Sequence, residues 1–401
     1  MLIIEKSCSF NFYWSSQTNL GLSFDIDYFY GQCYNFGVKI KNISVKNFRN
    51  LAEQKTELSD GLNVFIGNNA QGKTNLLESV YLCCLGKSPR TDRDKDMICW
   101  SENFAKASVD FTSRSGDKQI RLELTKDKKT AFLNDTSLAK IGDLLGNLNC
   151  VFFSPDEIRV ITQSPVERRR FLDIDLCQTD KTYFRSLVRF NRILTQRNNL
   201  IKNSSNIKEL SETLASWDEQ LAKEGARITI KRREFCDMLS SKASEAHKKL
   251  TRTENFELSY QASINGTASE EIYEKYLKKL NESIEKDFYQ RFTTFGCQRD
   301  DIKFSVDGID IRSFGSQGQQ RTAALALKFA ELEIFKTVTG EYPVLLLDDV
   351  LSELDRSRQK ALLSFNSDVQ IILTATKVET AFIKNLTHKK FAIKNGTATP
   401  L

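Results

Sequence analysis

Apolar and polar residues alternate through Lys39-Ile-Lys-Asn-Ile-Ser-Val-Lys-Asn-Phe48, the two-residue period of a half-buried strand. Asp60-Gly61 signals a turn and leads into Leu62-Asn-Val-Phe-Ile66, a short apolar strand that stops at Gly67. Leu76, Leu77, Val80 and Tyr81 then recur at helical spacing and predict a helix over 75–85. Residues 105–133 return to short alternating strands with Ser115-Gly116-Asp117 as a hairpin turn, and Val151-Phe-Phe153 closes this strand-rich stretch.

After Pro155 the pattern changes. Residues 165–292 contain almost no Pro or Gly and carry helical spacing throughout. Ile207, Leu210, Leu214, Trp217, Leu221 and Ile228 follow a heptad-like register that Glu224 interrupts, and Ile272, Tyr276, Leu280, Ile284 and Phe288 form a second stripe. So few heptads predict a compact helical lobe rather than a rod, and each stripe also reads as plain helix packing. Gly296 marks the return to mixed structure. Ile302–Val306 reads as a strand followed by the Asp307-Gly308 turn, and a helix spans about 319–338. Val344–Leu347 and Gln370–Thr374 are apolar strands of the kind buried in a parallel sheet. The expected fold is therefore α/β, one domain with mixed sheets interrupted by a mostly α-helical lobe. Its parts are 38–160 for the first half of the domain, 161–295 for the lobe and 296–401 for the second half.

Composition narrows the class without fixing it. No run approaches the roughly 18–20 apolar residues of a membrane span, which predicts a cytoplasmic chain without a membrane partner. Lys and Arg exceed Asp and Glu by 58 to 52, a mild excess that permits nucleic-acid binding. Nine scattered cysteines and two histidines offer no zinc spacing, and reduced thiols are expected. Residues 1–37 are rich in aromatics (Phe10, Phe12, Tyr13, Trp14, Tyr28, Phe29, Tyr30) and lack signal-peptide order. They read as an extension of uncertain order or as the product of an upstream start codon.

The chemistry is written in two distant halves. Gly67-Asn68-Asn69-Ala70-Gln71-Gly72-Lys73-Thr74 fits the phosphate-binding loop G-x-x-x-x-G-K-[ST] in its strand–loop–helix setting. Its glycines let backbone N–H groups turn towards phosphate oxygens, Lys73 would bridge the β- and γ-phosphates, and Thr74 would offer a hydroxyl to Mg²⁺. Val344–Leu347 ends in Asp348, which would place a carboxylate on the metal side, and Asp349 follows. Asp349 would orient or deprotonate water, or else make only local hydrogen bonds. Ser316-Gln317-Gly318-Gln319-Gln320 opens a helix with Ser316 as N-cap, a second anion-binding start in a chain whose P-loop already holds the phosphates. Such a motif makes most sense pointed at a partner's γ-phosphate, so the site is expected to need a second copy of the chain.

These residues resemble the ABC-type ATPase heads of the SMC family, most of all its RecF branch of bacterial recombination mediators. The resemblance rests on Val45-Lys-Asn-Phe-Arg-Asn50, Gly67–Glu78, Gln163–Asp173, Gln196-Arg-Asn-Asn199, Arg299-Asp-Asp301, the run from Ser316 to Glu331, and Leu345–Asp355. It covers about residues 38–385. It implies a protein that binds ATP with Mg²⁺ and DNA, dimerises around two ATPs and hydrolyses them slowly. Such proteins act at single-strand gaps and double-strand junctions with RecR and RecO to load RecA, in recombinational repair and the SOS response. Position by position, it assigns Lys73 and Thr74 to the P-loop, and Ser316, Gly318 and Gln319 to the signature. Asp348 and the catalytic Asp349 fall on the acidic strand end, Asp355 on the D-loop, and Arg49 near the nucleotide. Cys297-Gln298 departs from the Pro-His usual in that branch, and residues 1–37 have no counterpart.

Basic candidates for DNA phosphate contact are Arg168, Arg169, Arg170, Arg189, Arg192, Arg197, Lys231, Arg232 and Arg233. Each cluster reads equally as a solvated helix face or as partners for acids such as Glu167 and Glu234. No base-reading motif is present, so structure-selective binding of gapped, single-stranded and double-stranded DNA is expected. Alternatives are an SMC-like structural tether, which needs a long heptad array, and a transport-type ABC subunit, which needs a membrane-contact segment.

Overall fold

A computed structural model describes residues 37–379, 383–384 and 386–401. The aromatic residues singled out between 10 and 30 lie outside this range. Fifteen strands run in order as β1 (Lys39–Lys46), β2 (Gln54–Glu57), β3 (Leu62–Ile66), β4 (Phe104–Ser113), β5 (Gly116–Thr125), β6 (Lys129–Leu133), β7 (Thr136–Ser137), β8 (Cys150–Phe153), β9 (Phe256–Gln261), β10 (Asp301–Val306), β11 (Ile309–Asp310), β12 (Val344–Asp348), β13 (Ile371–Ala375), β14 (His388–Lys394) and β15 (Thr397–Pro400).

They form three sheets. The antiparallel sheet β2-β1-β4-β5-β6-β7 comes wholly from the first part of the chain. The central sheet β15-β14-β3-β13-β12-β8 draws on both ends, with only β15 antiparallel to its neighbour. Period-two alternation splits β3, β13 and β12 between two cores. Val344 and Leu346 pack with Phe65, Ile372 and the helix Lys73–Leu85, which fills the space towards the antiparallel sheet. Leu345 and Leu347 pack with Val64 and Leu373 beneath the helix Gln317–Thr339. Covering both faces explains why β12 is apolar until its last residue.

The lobe is mostly helical, as expected, with one segment that departs from the helical spacing. Residues 207–251 form one helix of 45 residues, roughly 68 Å long, which packs along Gln317–Thr339. Gly225 sits where that helix meets Tyr276: a Cβ there would lie 2.5 Å from the Tyr276 ring. Residues 256–261, expected to be helical, are β9. They pair antiparallel with β10 in a small sheet, β11-β10-β9, because Phe256 and Leu258 alternate inward in strand fashion. The expected boundary at residue 295 falls inside this unit.

Several basic residues expected at a DNA surface are internal. Arg197 is fully buried, with Nε 2.6 Å from Asp218, Nη1 2.6 Å from Asp287 and 2.9 Å from Thr293 Oγ1. Arg168 is equally buried in a two-point bond to Asp301, and Arg232 forks onto Asp173 while donating to the Cys297 carbonyl. The cost of desolvating these guanidiniums is met by carboxylates far away in sequence, so they tie the lobe together rather than meet phosphate. Arg233 is likewise engaged, by the carbonyls of Gly266 and Ile264.

A second buried charge cluster joins Gln317–Thr339 to the helix Pro165–Thr179. Lys328 Nζ lies 2.9 Å from Glu331 and 3.2 Å from Glu157, and the nearby Asp175 Oδ2 is buried without a partner among the described residues. Burial, opposed by Lys328, raises the Glu331 pKa from 4.5 to about 7. Burial and then the Glu331 charge raise that of Asp175.

Replacing Arg197 with Met should cost about 3–5 kcal/mol in a denaturant titration, because Asp218 and Asp287 are left buried and unpaired. An unchanged midpoint would contradict this. The folded state also holds a proton at Glu331 that the unfolded chain gives up above its ordinary value. That contribution is full below 4.5 and is lost as pH rises through about 7. The melting temperature should therefore fall from about pH 5 to about pH 8, and Glu331→Gln should flatten the slope. The same slope in the variant would exclude Glu331 as its source.

Candidate nucleotide-binding site

β3 delivers the chain to Gly67 at the C-terminal edge of the central sheet, and the loop re-enters the helix at Lys73. The backbone conformation demands the loop's glycines. Gly72 has φ 110, and a Cβ on it would lie 2.8 Å from Leu51 Cδ2 and 2.9 Å from Asn50 Oδ1; a Cβ on Gly67 would meet the Ile393 carbonyl at 2.4 Å. Ala70 takes φ 64 without that freedom. The outer side of the loop is clamped by the β14–β15 turn. There Asn395 N donates to Gln71 Oε1 at 2.7 Å and Gly396 N to the Gln71 carbonyl at 3.0 Å.

Lys73 is buried and its Nζ donates to the carbonyls of Gly67 (2.8 Å) and Asn68 (3.0 Å), which holds it over the loop. One turn of sheet away, Asp348 Oδ1 accepts from Thr74 Oγ1 at 3.0 Å and from Thr374 Oγ1 at 2.7 Å. The parallel register that sets Asp348 beside Thr374 makes the second contact possible. Burial raises the Asp348 pKa; the Thr374 and Thr74 hydroxyls oppose that, and the Asp349 charge adds to it. A carboxylate so placed gains from a cation, and Thr74 with Asp348 is a hydroxyl–carboxylate pair that would hold Mg²⁺.

Asp349 has φ 51, which turns it out of β12. Its N–H donates to the Thr374 carbonyl at 3.1 Å, whereas its carboxylate bonds to no described residue and lines a cleft of about 430 Å³. Asn50, Asn69, Ala70, Gly72, Lys73, Thr74, Asn75 and Arg90 line the rest of it. Asn50 and Asn75 are bonded to each other at 2.8 Å, Asn50 Nδ2 donates to the Ala70 carbonyl at 3.1 Å, and Arg90 Nη1 donates to Asn75 at 2.9 Å. Asn50 and Asn75 stand inside the quoted motifs without a role read for them there, and nothing local in the sequence singles out Arg90. Thr374 was signalled only by its place at the end of an apolar strand.

Arg49, expected near the nucleotide, does not line this cleft. It forks onto the buried Glu78 at 2.6 and 3.0 Å and donates to the Asp96 carbonyl. Its neighbour Asn50 takes the cleft position.

The signature also lies outside the chain's own cleft. Ser316 caps the helix Gln317–Thr339 in a closed box: Gln319 N donates to Ser316 Oγ at 3.2 Å and Ser316 N to Gln319 Oε1 at 3.0 Å. Ser316 and Gln317 are exposed, and space is open around Gly318, where a Cβ would have no atom nearer than 3.8 Å. Arg358 couples this turn to the D-loop, bonding Asp355, the Gly318 carbonyl (3.2 Å) and Thr322 Oγ1 (2.9 Å). Arg321 does the same through Glu353 at 2.8 Å.

Of the basic candidates, Arg170 is exposed and loosely paired with Glu167 at 3.9 Å, and Arg169 is half-buried with Nη1 on the Asp300 carbonyl. Lys231 is held by Glu234 and Asp180, and Arg189 by Glu224. Arg169, Arg170 and Lys87 line a further cleft of about 400 Å³ between the P-loop helix and the lobe, floored by Leu85, Phe184 and Phe190.

Comparisons with known proteins show the family of the chain. The family described as RecF/RecN/SMC N terminal domain matches residues 39–397. A DNA replication and repair protein RecF of Clostridium botulinum (strain 657 / Type Ba4) is 45% identical over 342 residues, covering 85% of this chain and 93% of the relative. That of Clostridium novyi (strain NT) is 43% identical over 361 residues, covering 89% and 99%. The solved recombination mediator protein RecF-ATPrS in the RecFOR pathway superposes with a TM-score of 0.85 at 34% identity, covering 92% of this chain and 99% of its own. The Smc head of Pyrococcus furiosus, at 17% identity and a TM-score of 0.53, shares the fold. Among the described residues no helix is long and apolar enough to cross a membrane. With P-loop, acidic strand end and signature in these positions, the chain belongs to the RecF family of DNA replication and repair proteins.

Proposed function

We propose that this chain binds ATP and DNA, and that its nucleotide site is completed by a second copy, so that ATP closes a homodimer on DNA. The observation that carries this reading is the separation of the two halves. The P-loop cleft takes no residue from 316–320, while the capped Ser316 turn is exposed and open around Gly318. A helix start that serves no phosphate in its own chain is suited to one in another.

Within the cleft, Lys73 would exchange the Gly67 and Asn68 carbonyls for phosphate oxygens, and the loop from Asn69 to Gly72 would supply backbone N–H groups. Thr74 and Asp348 would hold Mg²⁺, which when bound neutralises charge on the β- and γ-phosphates. Asp349, with its carboxylate free, is placed to orient water or accept its proton. Slow hydrolysis then serves as a release step for the clamp. ATP in the solved RecF neighbours and their RecFOR setting support this reading. The family resemblance implies action in the cytoplasm beside RecO and RecR, loading RecA at gaps and junctions. The long lobe helix lies packed along Gln317–Thr339, which disfavours a rod-like tether.

For DNA, the internal Arg168, Arg197 and Arg232 give way to Arg169 and Arg170, with Lys87 beside them.

With ATP and Mg²⁺ the wild-type mass should double in light scattering. Lys73→Ala should stay monomeric, and Asp349→Asn should dimerise stably with turnover cut at least about 10²-fold. A wild type that remains monomeric with ATP and DNA would refute the completed-in-trans site. Arg169→Ala with Arg170→Ala should weaken DNA binding and reduce the slope of log affinity against log salt by about 2, read by fluorescence anisotropy. An unchanged slope would move the DNA surface elsewhere.

A further inference from the structure

Behind the signature turn stands a row of side chains that nucleotide binding in the cleft does not use. The 45-residue helix ends at Arg252, φ 69, and the chain turns through Glu254 into β9. Glu254 Oε1 accepts from Gln319 Nε2 at 3.0 Å, and the other end of that amide, Oε1, accepts from Ser316 N at 3.0 Å. A carboxylate can only accept, so it selects which end of the Gln319 amide faces Ser316. With the nitrogen drawn to Glu254, the oxygen is left to close the capping box.

The second Glu254 oxygen lies 3.7 Å from His247 Nε2. His247 is fully buried, stacked on Phe256 at 5.3 Å, and neither ring nitrogen has a hydrogen-bond partner. Burial lowers its pKa, opposed by Glu254 and Asp307 and reinforced by Arg358. His247 makes no hydrogen bond to Glu254, so among the described residues the Gln319 amide is the side-chain donor that this carboxylate holds.

We infer that Glu254 is a positioning residue for the signature, holding the Gln319 amide so that Ser316 and the first turn of Gln317–Thr339 face the nucleotide of a partner copy. This rests on the proposed trans site. It also gives the lobe a hand in nucleotide sensing, since Glu254 hangs from the end of the lobe's longest helix.

The test uses the full chain with ATP and Mg²⁺. Sedimentation velocity reads the dimer dissociation constant, and a fluorescent ATP analogue at low protein concentration reads the affinity of the monomer's own P-loop. Glu254→Ala should weaken the dimer about 10-fold and leave monomer nucleotide affinity within about 2-fold, the loss of one charge-assisted hydrogen bond. Glu254→Gln, which keeps an acceptor, should recover the dimer to within about 3-fold. Gln319→Ala should reproduce the loss, and the double variant should add little to it. A purely structural Glu254 would lower the melting temperature while the dimer constant stayed put, and that result overturns the inference. So would equal losses in both affinities, or Glu254→Gln no better than Glu254→Ala. If the wild type itself stays monomeric with ATP, the trans site falls and this inference with it.

Discussion

Asp348 sits where the two ends of the chain become one site. Its carboxylate accepts from Thr74, 274 residues away in sequence, and from Thr374 on the neighbouring strand. Both bonds need β3, β13 and β12 side by side and parallel, in a register that brings their C-terminal ends level. That alignment obliges the sheet to bury both faces, and so to carry the P-loop helix on one side and the signature helix on the other. The geometry of the cleft follows from this pairing. A carboxylate whose charge burial disfavours, set at a strand end next to a phosphate-binding loop, is suited to a cation and a polyphosphate together.

Much of this was legible in the chain. The spacing of Gly67, Gly72, Lys73 and Thr74 declares the loop, and the apolar run ending at Asp348 declares the opposing strand, because both are local patterns. What could not be read depends on distant partners. Arg168, Arg197 and Arg232 have the composition of a basic surface, yet each is buried against a carboxylate in another segment, Asp301, Asp218 with Asp287, and Asp173. Charge counting has no term for such pairing. β9 was taken for helix since it lies in a stretch poor in Gly and Pro, and its two-residue alternation is short. Arg49 was placed at the nucleotide by resemblance, whereas the buried Glu78 captures it and leaves the cleft to Asn50.

The signature side is held by a denser web than its short motif suggests. Arg358 and Arg321 bind it to the D-loop, Glu254 binds it to the end of the long lobe helix, and Lys328, which pairs with Glu157 and lies over the Phe171 ring, ties the same helix to the helix Pro165–Thr179. In the proposed dimer a phosphate bound at Ser316 would press on a helix already connected to the lobe at its first turn and at its middle. That is a physical route from nucleotide to the surface on which Arg169 and Arg170 stand.

The most direct measurement mixes two inactive forms. Lys73→Ala disables the P-loop but keeps the signature. Gly318→Asp keeps the P-loop and puts a negative side chain into the open space at the signature, where no backbone strain or contact opposes it. A composite site joining the intact P-loop of one with the intact signature of the other should restore ATP hydrolysis in the mixture, although each variant alone is inactive. A mixture as inactive as its components would show that the two halves do not meet across a dimer.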